Sequence, residues 1–141
     1  MRAPALALLA GALVAGAPLA AGCGEIRAAD LFLVQRSGDV AGARLTLLVN
    51  EEGGVRCNGN RTGRLSDARL IEARAITDDL RGPASEHLSL PARPGAVLSY
   101  DVRSEKGSVR FADNSAGQPA VLHRLALFVL RTAQQTCHLA I

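Results

Sequence analysis

Arg44-Leu45-Thr46-Leu47-Leu48-Val49, then Asn50-Glu51-Glu52-Gly53-Gly54, then Val55-Arg56-Cys57 is the stretch that decides the fold. Leu45, Leu47 and Val49 alternate onto one side, as a half-buried strand requires. The Asn/Glu/Gly segment is a tight connection, so the flanking apolar runs pair as a hairpin. Cys57 shares the inward side with Val55, which aims its sulfur at the core. Upstream, Leu31 to Arg36 reads as a further strand, ended by Ser37-Gly38-Asp39. Downstream, Asn58-Gly59-Asn60-Arg61-Thr62-Gly63-Arg64 reads as a loop, because Asn and Gly tolerate positive φ.

Ser66 is the expected N-cap of a helix running to about Arg81, with Leu65 and Leu70 as a hydrophobic staple. Gly82-Pro83 is its expected stop. Ala68, Ile71 and Ala75 form one stripe, with Ala73, Ile76 and Leu80 beside it, opposite Asp67, Arg74, Asp78 and Arg81. Pro91 and Pro94-Gly95 mark a connector. Val97 to Arg103 and Ser108 to Ala112 then make a second hairpin around Ser104-Glu105-Lys106-Gly107. Leu98, Tyr100 and Val102 face inward there, opposite Val109 and Phe111. Pro119 suits the first turn of a last helix reaching about Cys137, striped by Leu122, Leu125, Ala126, Val129 and Ala133. The order βββαββα predicts an α+β fold, an antiparallel sheet of about five strands packed by two helices.

The N-terminus sets the compartment. Met1-Arg2, an Ala/Leu/Gly/Val run and Leu19-Ala20-Ala21-Gly22-Cys23 have the layout of a secretory signal. The small-small-Gly-Cys ending resembles the lipobox of bacterial lipoproteins, which implies that Cys23 is acylated. Residues 1–22 are then a signal peptide, 23–29 a membrane-proximal tether and 30–141 a single domain. Six extended residues after Cys23 reach only about 20 Å. The cysteines agree with export. There are three, Cys23, Cys57 and Cys137, and lipid on Cys23 leaves Cys57 and Cys137 to pair in an oxidising compartment. Type I cleavage after Gly22, giving a secreted chain with a free Cys23, is the alternative. An uncleaved anchor over 3–22 is a third reading, weakened by Pro4 and Pro18.

Composition narrows the function classes. Phe32, Tyr100, Phe111 and Phe128 are all the aromatics, too few to stack sugars or unpaired bases. Without Arg2 the chain is close to charge balance, with its arginines scattered and no basic run, which argues against nucleic acid as a partner. His87, His123 and His138 lack metal-ligand spacing, so neither metal nor cofactor is expected. There is no GxSxG or SxxK motif, and Lys106 sits in a solvated turn. Glu51-Glu52 lies in a turn, while Asp78-Asp79 diverge around a helix and cannot share a proton. A non-catalytic role follows.

Two surfaces are candidates for binding. The 58–64 loop projects Arg61 and Arg64 beside a cysteine, as a serine-protease inhibitor does when it fills a trypsin-like pocket. The layout of hairpin, helix and hairpin loosely resembles bacterial subtilisin-inhibitor domains. That family has two bridges where this chain can form one, and Gly59 and Gly63 loosen the loop. A plain connecting loop is the simpler reading. The second candidate is the polar side of the last helix, where Arg124, Arg131 and His138 recur every seven residues and could lie on anionic headgroups.

Asp30-Leu31-Phe32, Arg44-Leu45-Thr46-Leu47-Leu48-Val49, Arg56-Cys57-Asn58-Gly59, Leu88-Ser89-Leu90-Pro91, Val109-Arg110-Phe111-Ala112-Asp113-Asn114-Ser115 and Arg124-Leu125-Ala126-Leu127-Phe128 resemble small exported proteins of actinobacteria. That resemblance implies a habitat and carries no activity. The reading is a cell-envelope lipoprotein on the outer face of the membrane, with a non-catalytic binding or structural role. Its partners are the membrane, through the lipid, and an envelope protein. A secreted inhibitor comes second and an enzyme third.

Overall fold

Alternating apolar runs and two amphipathic helices assemble as one layer of helix on one layer of sheet. A computed structural model describes residues 29–141. The expected signal segment 1–22, Cys23 and the tether up to residue 28 lie outside the described residues. The elements are β1 (Asp30–Gly38), β2 (Leu45–Asn50), β3 (Gly54–Cys57), β4 (Arg61–Arg64), α1 (Asp67–Ser85), β5 (Leu98–Ser104), β6 (Gly107–Ala112) and α2 (Ala120–Gln135). All strands pair antiparallel, in the order β4-β3-β2-β1-β5-β6. The α+β class and the Cys57–Cys137 bond are as the sequence predicts.

The sheet has six strands where about five are expected, because the 58–64 segment is a loop only over its first part. Asn58 (φ 50°) and Gly59 (φ 78°) make the turn, and Arg61 to Arg64 return as edge strand β4 against β3. Gly63 is required there, since a Cβ would stand 2.6 Å from Thr136 Cγ2 and 2.7 Å from its carbonyl oxygen. β1 also outruns its expected end at Arg36. Ser37 and Gly38 stay in the sheet because β5 pairs with them, at Ser99 and Leu98.

Ser66 caps α1 as expected, its hydroxyl accepting from the Arg69 N–H. Gly82-Pro83 does not stop the helix, which continues to Ser85. Pro83 lacks the N–H for one ladder bond, yet buried Ala84 holds the last turn against the sheet. The chain leaves through His87 at φ 50°. The inward stripe is Ala73, Ile76, Leu80 and Ala84; Ala68, Ile71 and Ala75 face solvent, against expectation.

α2 starts at Ala120 after Pro119 and ends at Gln135, short of Cys137. Seven of its residues are buried, the wide arc of a helix wedged against both sheet and α1. Phe128 meets Phe32 of the central strand edge to face at 5.8 Å, under the Arg69 guanidinium at 4.7 Å. The register of β5 and β6 is as predicted, Tyr100 opposite Phe111 and Val102 opposite Val109. After α1, Leu88 to Leu90 run beside β6: the Leu90 N–H donates to Arg110 O and the Arg110 N–H to Leu88 O, both at 2.8 Å. That leaves β4 as the open edge, short and with an arginine at each end, a composition that discourages edge pairing.

Candidate functional site

Strand side chains alternate between faces, and both helices cover one face. Phe32, Val34, Leu47, Val49, Val55, Cys57, Tyr100, Val102, Val109 and Phe111 point to it and build the core. The intervening residues point to the other face, over which no helix lies. Its middle row, read across the strands, is Thr62, Arg56, Leu48, Leu33, Arg103 and Ser108. The next row holds Thr46, Gln35, Asp101 and Arg110. Arg44 lies below and Arg64 at the edge beside Gly54.

Five arginines therefore share this face, Arg44, Arg56, Arg64, Arg103 and Arg110, all solvent-exposed. Of the two acids in the described strands, Asp30 pairs with Asn50 at the end of β1, and Asp101 projects in the midst of these arginines. Arg110 Nε donates to its Oδ2 at 3.0 Å, and Arg103 Nε stands 3.7 Å from Oδ1. That Oδ1 is buried and receives no hydrogen bond among the described residues. Acids collect elsewhere: Asp67, Glu72, Asp78 and Asp79 are on α1, and Asp30, Glu51 and Glu105 line a groove with Arg74 and Arg81 at the sheet's end.

The face is scalloped. One concavity of about 420 Å³ has Gln35, Ser37, Ser99, Asp101 and Arg110 as floor and Leu90 with Ala92 as wall. Two smaller hollows, about 210 and 360 Å³, lie around Leu48, Arg56 and Thr62 and around Arg44, Thr46 and Asn58. The wall is pinned from below by Asp113-Asn114-Ser115. Asp113 carboxylate oxygens accept from the Val97 and Leu98 N–H groups, Asn114 Oδ1 from the Arg93 N–H, and Ser115 Oγ donates to Leu90 O. Short polar side chains bonding to nearby backbone hold such irregular segments in one shape.

Beneath the same end lies buried Arg36, 6 % exposed, donating from Nε to Ala43 O at 3.0 Å and from Nη2 to Gly42 O at 2.9 Å. It faces Tyr100, which stacks on Phe111 with centroids 4.7 Å apart. Burial pushes the Tyr100 phenol above its ordinary value, against the charge and hydrogen bond of Arg36, which draw it down, while Asp113 adds to the rise.

The residues singled out from sequence fall in different places. Cys57 and Cys137 are joined, Cα atoms 6.2 Å apart, and both are buried. Arg61 and Arg64 do not converge. Arg61 turns to the helix side, its Nη1 3.4 Å from the carbonyl oxygens of Cys137 and His138, while Arg64 joins the open face. Arg124 of the last helix is paired with Asp79 of α1 at 2.7 Å, and His138 lies past the helix end at φ 53°, so the expected cationic helix face is broken up. His87 Nδ1 stands 3.4 Å from Ser108 Oγ, both exposed, and no ion pair ties His87 to an acid among the described residues. A serine–histidine pair without an orienting group is not an activated nucleophile. No group of three or more potential metal ligands is gathered among the described residues. None of the described helices is long and apolar enough to cross a membrane.

Of the residues on this face, Arg64 is the one singled out from sequence; Gln35, Asp101, Arg44, Arg56, Arg103 and Arg110 belong to no motif. Their signal is period two: Arg56 sits between Val55 and Cys57, and Arg110 between Val109 and Phe111. The class that fold and site define is a two-layer α+β domain with one helix-covered and one open, arginine-rich sheet face. Comparison with protein-family models finds no match, and neither do comparisons with curated proteins and with solved structures.

Proposed function

We propose that this chain is an envelope lipoprotein, a non-catalytic binding domain held at the outer face of the cell membrane through acylated Cys23. The observation that carries the reading is the Cys57–Cys137 bond. Disulfides persist in oxidising compartments and are rare in the reducing cytosol. With those two sulfurs joined, Cys23 is the one left for lipid, next to the small residues that resemble a lipobox. A lipoprotein cysteine carries at least two acyl chains, enough for stable anchoring. The binding role is supported by the open face, which offers hydrogen-bonding and cationic groups in place of a nucleophile with its base and orienting acid.

Labelling with a clickable palmitate in the native host tests the anchor. The wild-type chain takes the label and stays with membranes through a high-salt wash; Cys23→Ala loses the label and is released by that wash. Unchanged labelling in Cys23→Ala overturns the reading.

A further inference from the structure

We infer that the open sheet face rests on the anionic phospholipid headgroups of the membrane that carries the anchor, so that the domain lies flat on the bilayer. The inference deepens the envelope-lipoprotein reading and rests on it for the compartment. Three observations carry it.

The first is charge. Arg44, Arg56, Arg64, Arg103 and Arg110 project from this face with Asp101 the one described acid in their midst, whereas the five arginines of the helix layer, Arg69, Arg74, Arg81, Arg124 and Arg131, are offset by the four acids of α1. A negatively charged plane therefore attracts the sheet face more strongly than the helix layer. The second is distribution. Arg56 and Arg103 are separated across β2 and β1, three strand spacings or about 14 Å. Arg44 stands four residues along the strand from the Leu48 row, about 13 Å away. Cations spread in two dimensions match a lattice of headgroups. A single phosphate would be met by converging groups, and a linear polyanion by a line of them. Between the exposed Arg56 and Arg103 the row runs through half-buried Leu48 and buried Leu33, so the cations, not the leucines, are what this row offers a headgroup plane.

The third is attachment. The tether enters at Asp30, the start of β1, which is one of the two central strands of the sheet. Leu33, in the middle row of the face, is three residues further on, about 10 Å. Residues 24–29 span about 20 Å when extended, which lets the sheet lie down while Cys23 stays in the bilayer. The reach is too short to hold the domain far above it.

The test uses the secreted full chain carrying Cys23→Ala, which has no lipid, mixed with vesicles of phosphatidylglycerol and phosphatidylcholine or of phosphatidylcholine alone. The chain is expected to sediment with the anionic vesicles only, and less so as salt rises. Each arginine removed from the face weakens binding about fivefold, so Arg56→Gln/Arg64→Gln/Arg103→Gln loses about a hundredfold. A triple variant of the same charge on the helix side, Arg74→Gln/Arg81→Gln/Arg131→Gln, keeps the parent's binding. Circular dichroism confirms that each is folded, and Arg56→Gln alone gives the single-site step. Equal losses in the two triples overturn the inference, because net charge would then be acting without the face. Binding to soluble polyphosphate but not to vesicles overturns it in favour of a linear polyanion. No vesicle binding also overturns it. Because the vesicle assay uses an unlipidated chain, its failure leaves palmitate labelling of Cys23 untouched, and a failure of labelling leaves the vesicle result standing.

Discussion

Removing the covalent tie between β3 and the segment after α2 is the sharpest test of what holds the fold. The bond spans a sequence separation of 80 residues. In the chain-entropy relation that loop costs the unfolded chain about 4.5 kcal/mol of freedom at 25 °C, which the reduced protein regains. A single Cys57→Ser change adds a second effect, since position 57 is fully buried and a hydroxyl there would need a partner, at a cost of about 1–3 kcal/mol. The double variant Cys57→Ala/Cys137→Ala separates the two. It removes the tie without leaving a polar group in the core, so its loss reflects the link together with two small cavities. For a domain of this size about 4.5 kcal/mol lowers the melting temperature by roughly 15–20 °C. Far-UV circular dichroism is the suitable probe, because the chain has one Tyr and no Trp. Native-state hydrogen exchange adds a location: β4 and the segment from Thr136 on, where Arg61 holds the Cys137 and His138 carbonyls, should lose protection first. Equal melting of the oxidised wild type and the double alanine variant would refute the reasoning. So would intact-mass detection of two free thiols at positions 57 and 137 in oxidised protein.

Gly107, at φ 141°, passes so close to α1 that a Cβ would stand 2.2 Å from Ala84 O. Gly107→Ala should cost about 2–4 kcal/mol in urea unfolding, and a loss under 1 kcal/mol would show that hairpin and helix end are not locked together. Tyr100 supplies the alkaline behaviour. Its folded pKa lies above the ordinary 10.0, chiefly through burial, so the unfolded chain releases this proton first as pH rises. The associated stability is fully present below pH 10 and is lost as pH climbs through the folded value. Tyr100→Phe should flatten the part of the stability profile above pH 10; a profile as steep as wild type there would assign the effect to other groups.

Most of the fold is legible in the chain because its elements announce themselves locally. Alternation marks β2, β5 and β6, Ser66 marks the start of α1, and the apolar arc from Val121 to Ala133 marks α2. What local rules misread are places where tertiary contacts override them. Asn58 to Arg64 has the composition of a loop, but backbone pairing with β3 and the close approach to Thr136 turn its second half into a strand. Gly82-Pro83 is a stop signal overridden by the packing of Ala84. The stripes of α1 are ambiguous because Ile71 and Ile76 are equally apolar, and only the position of the sheet buries one and exposes the other.

The candidate surface was harder to see for a geometric reason. A search for charged runs finds cations that are neighbours along the chain, as on a helix or in a tail. On a sheet, neighbours along the chain point to opposite sides, and residues that meet on one face come from different strands. Arg56 and Arg103 belong to the same row although β4 and the whole of α1 separate them in sequence. Each lies beside inward-facing residues, Val55 and Cys57 in one case and Val102 in the other, so the core pattern itself fixes which way the arginine points. The same alternation that buries the apolar side chains thus gathers scattered arginines into one surface. It places Arg61 and Arg64, three residues apart on one strand, on opposite faces: the first is held by the Cys137 and His138 carbonyls and the second is exposed among the other arginines of the open face.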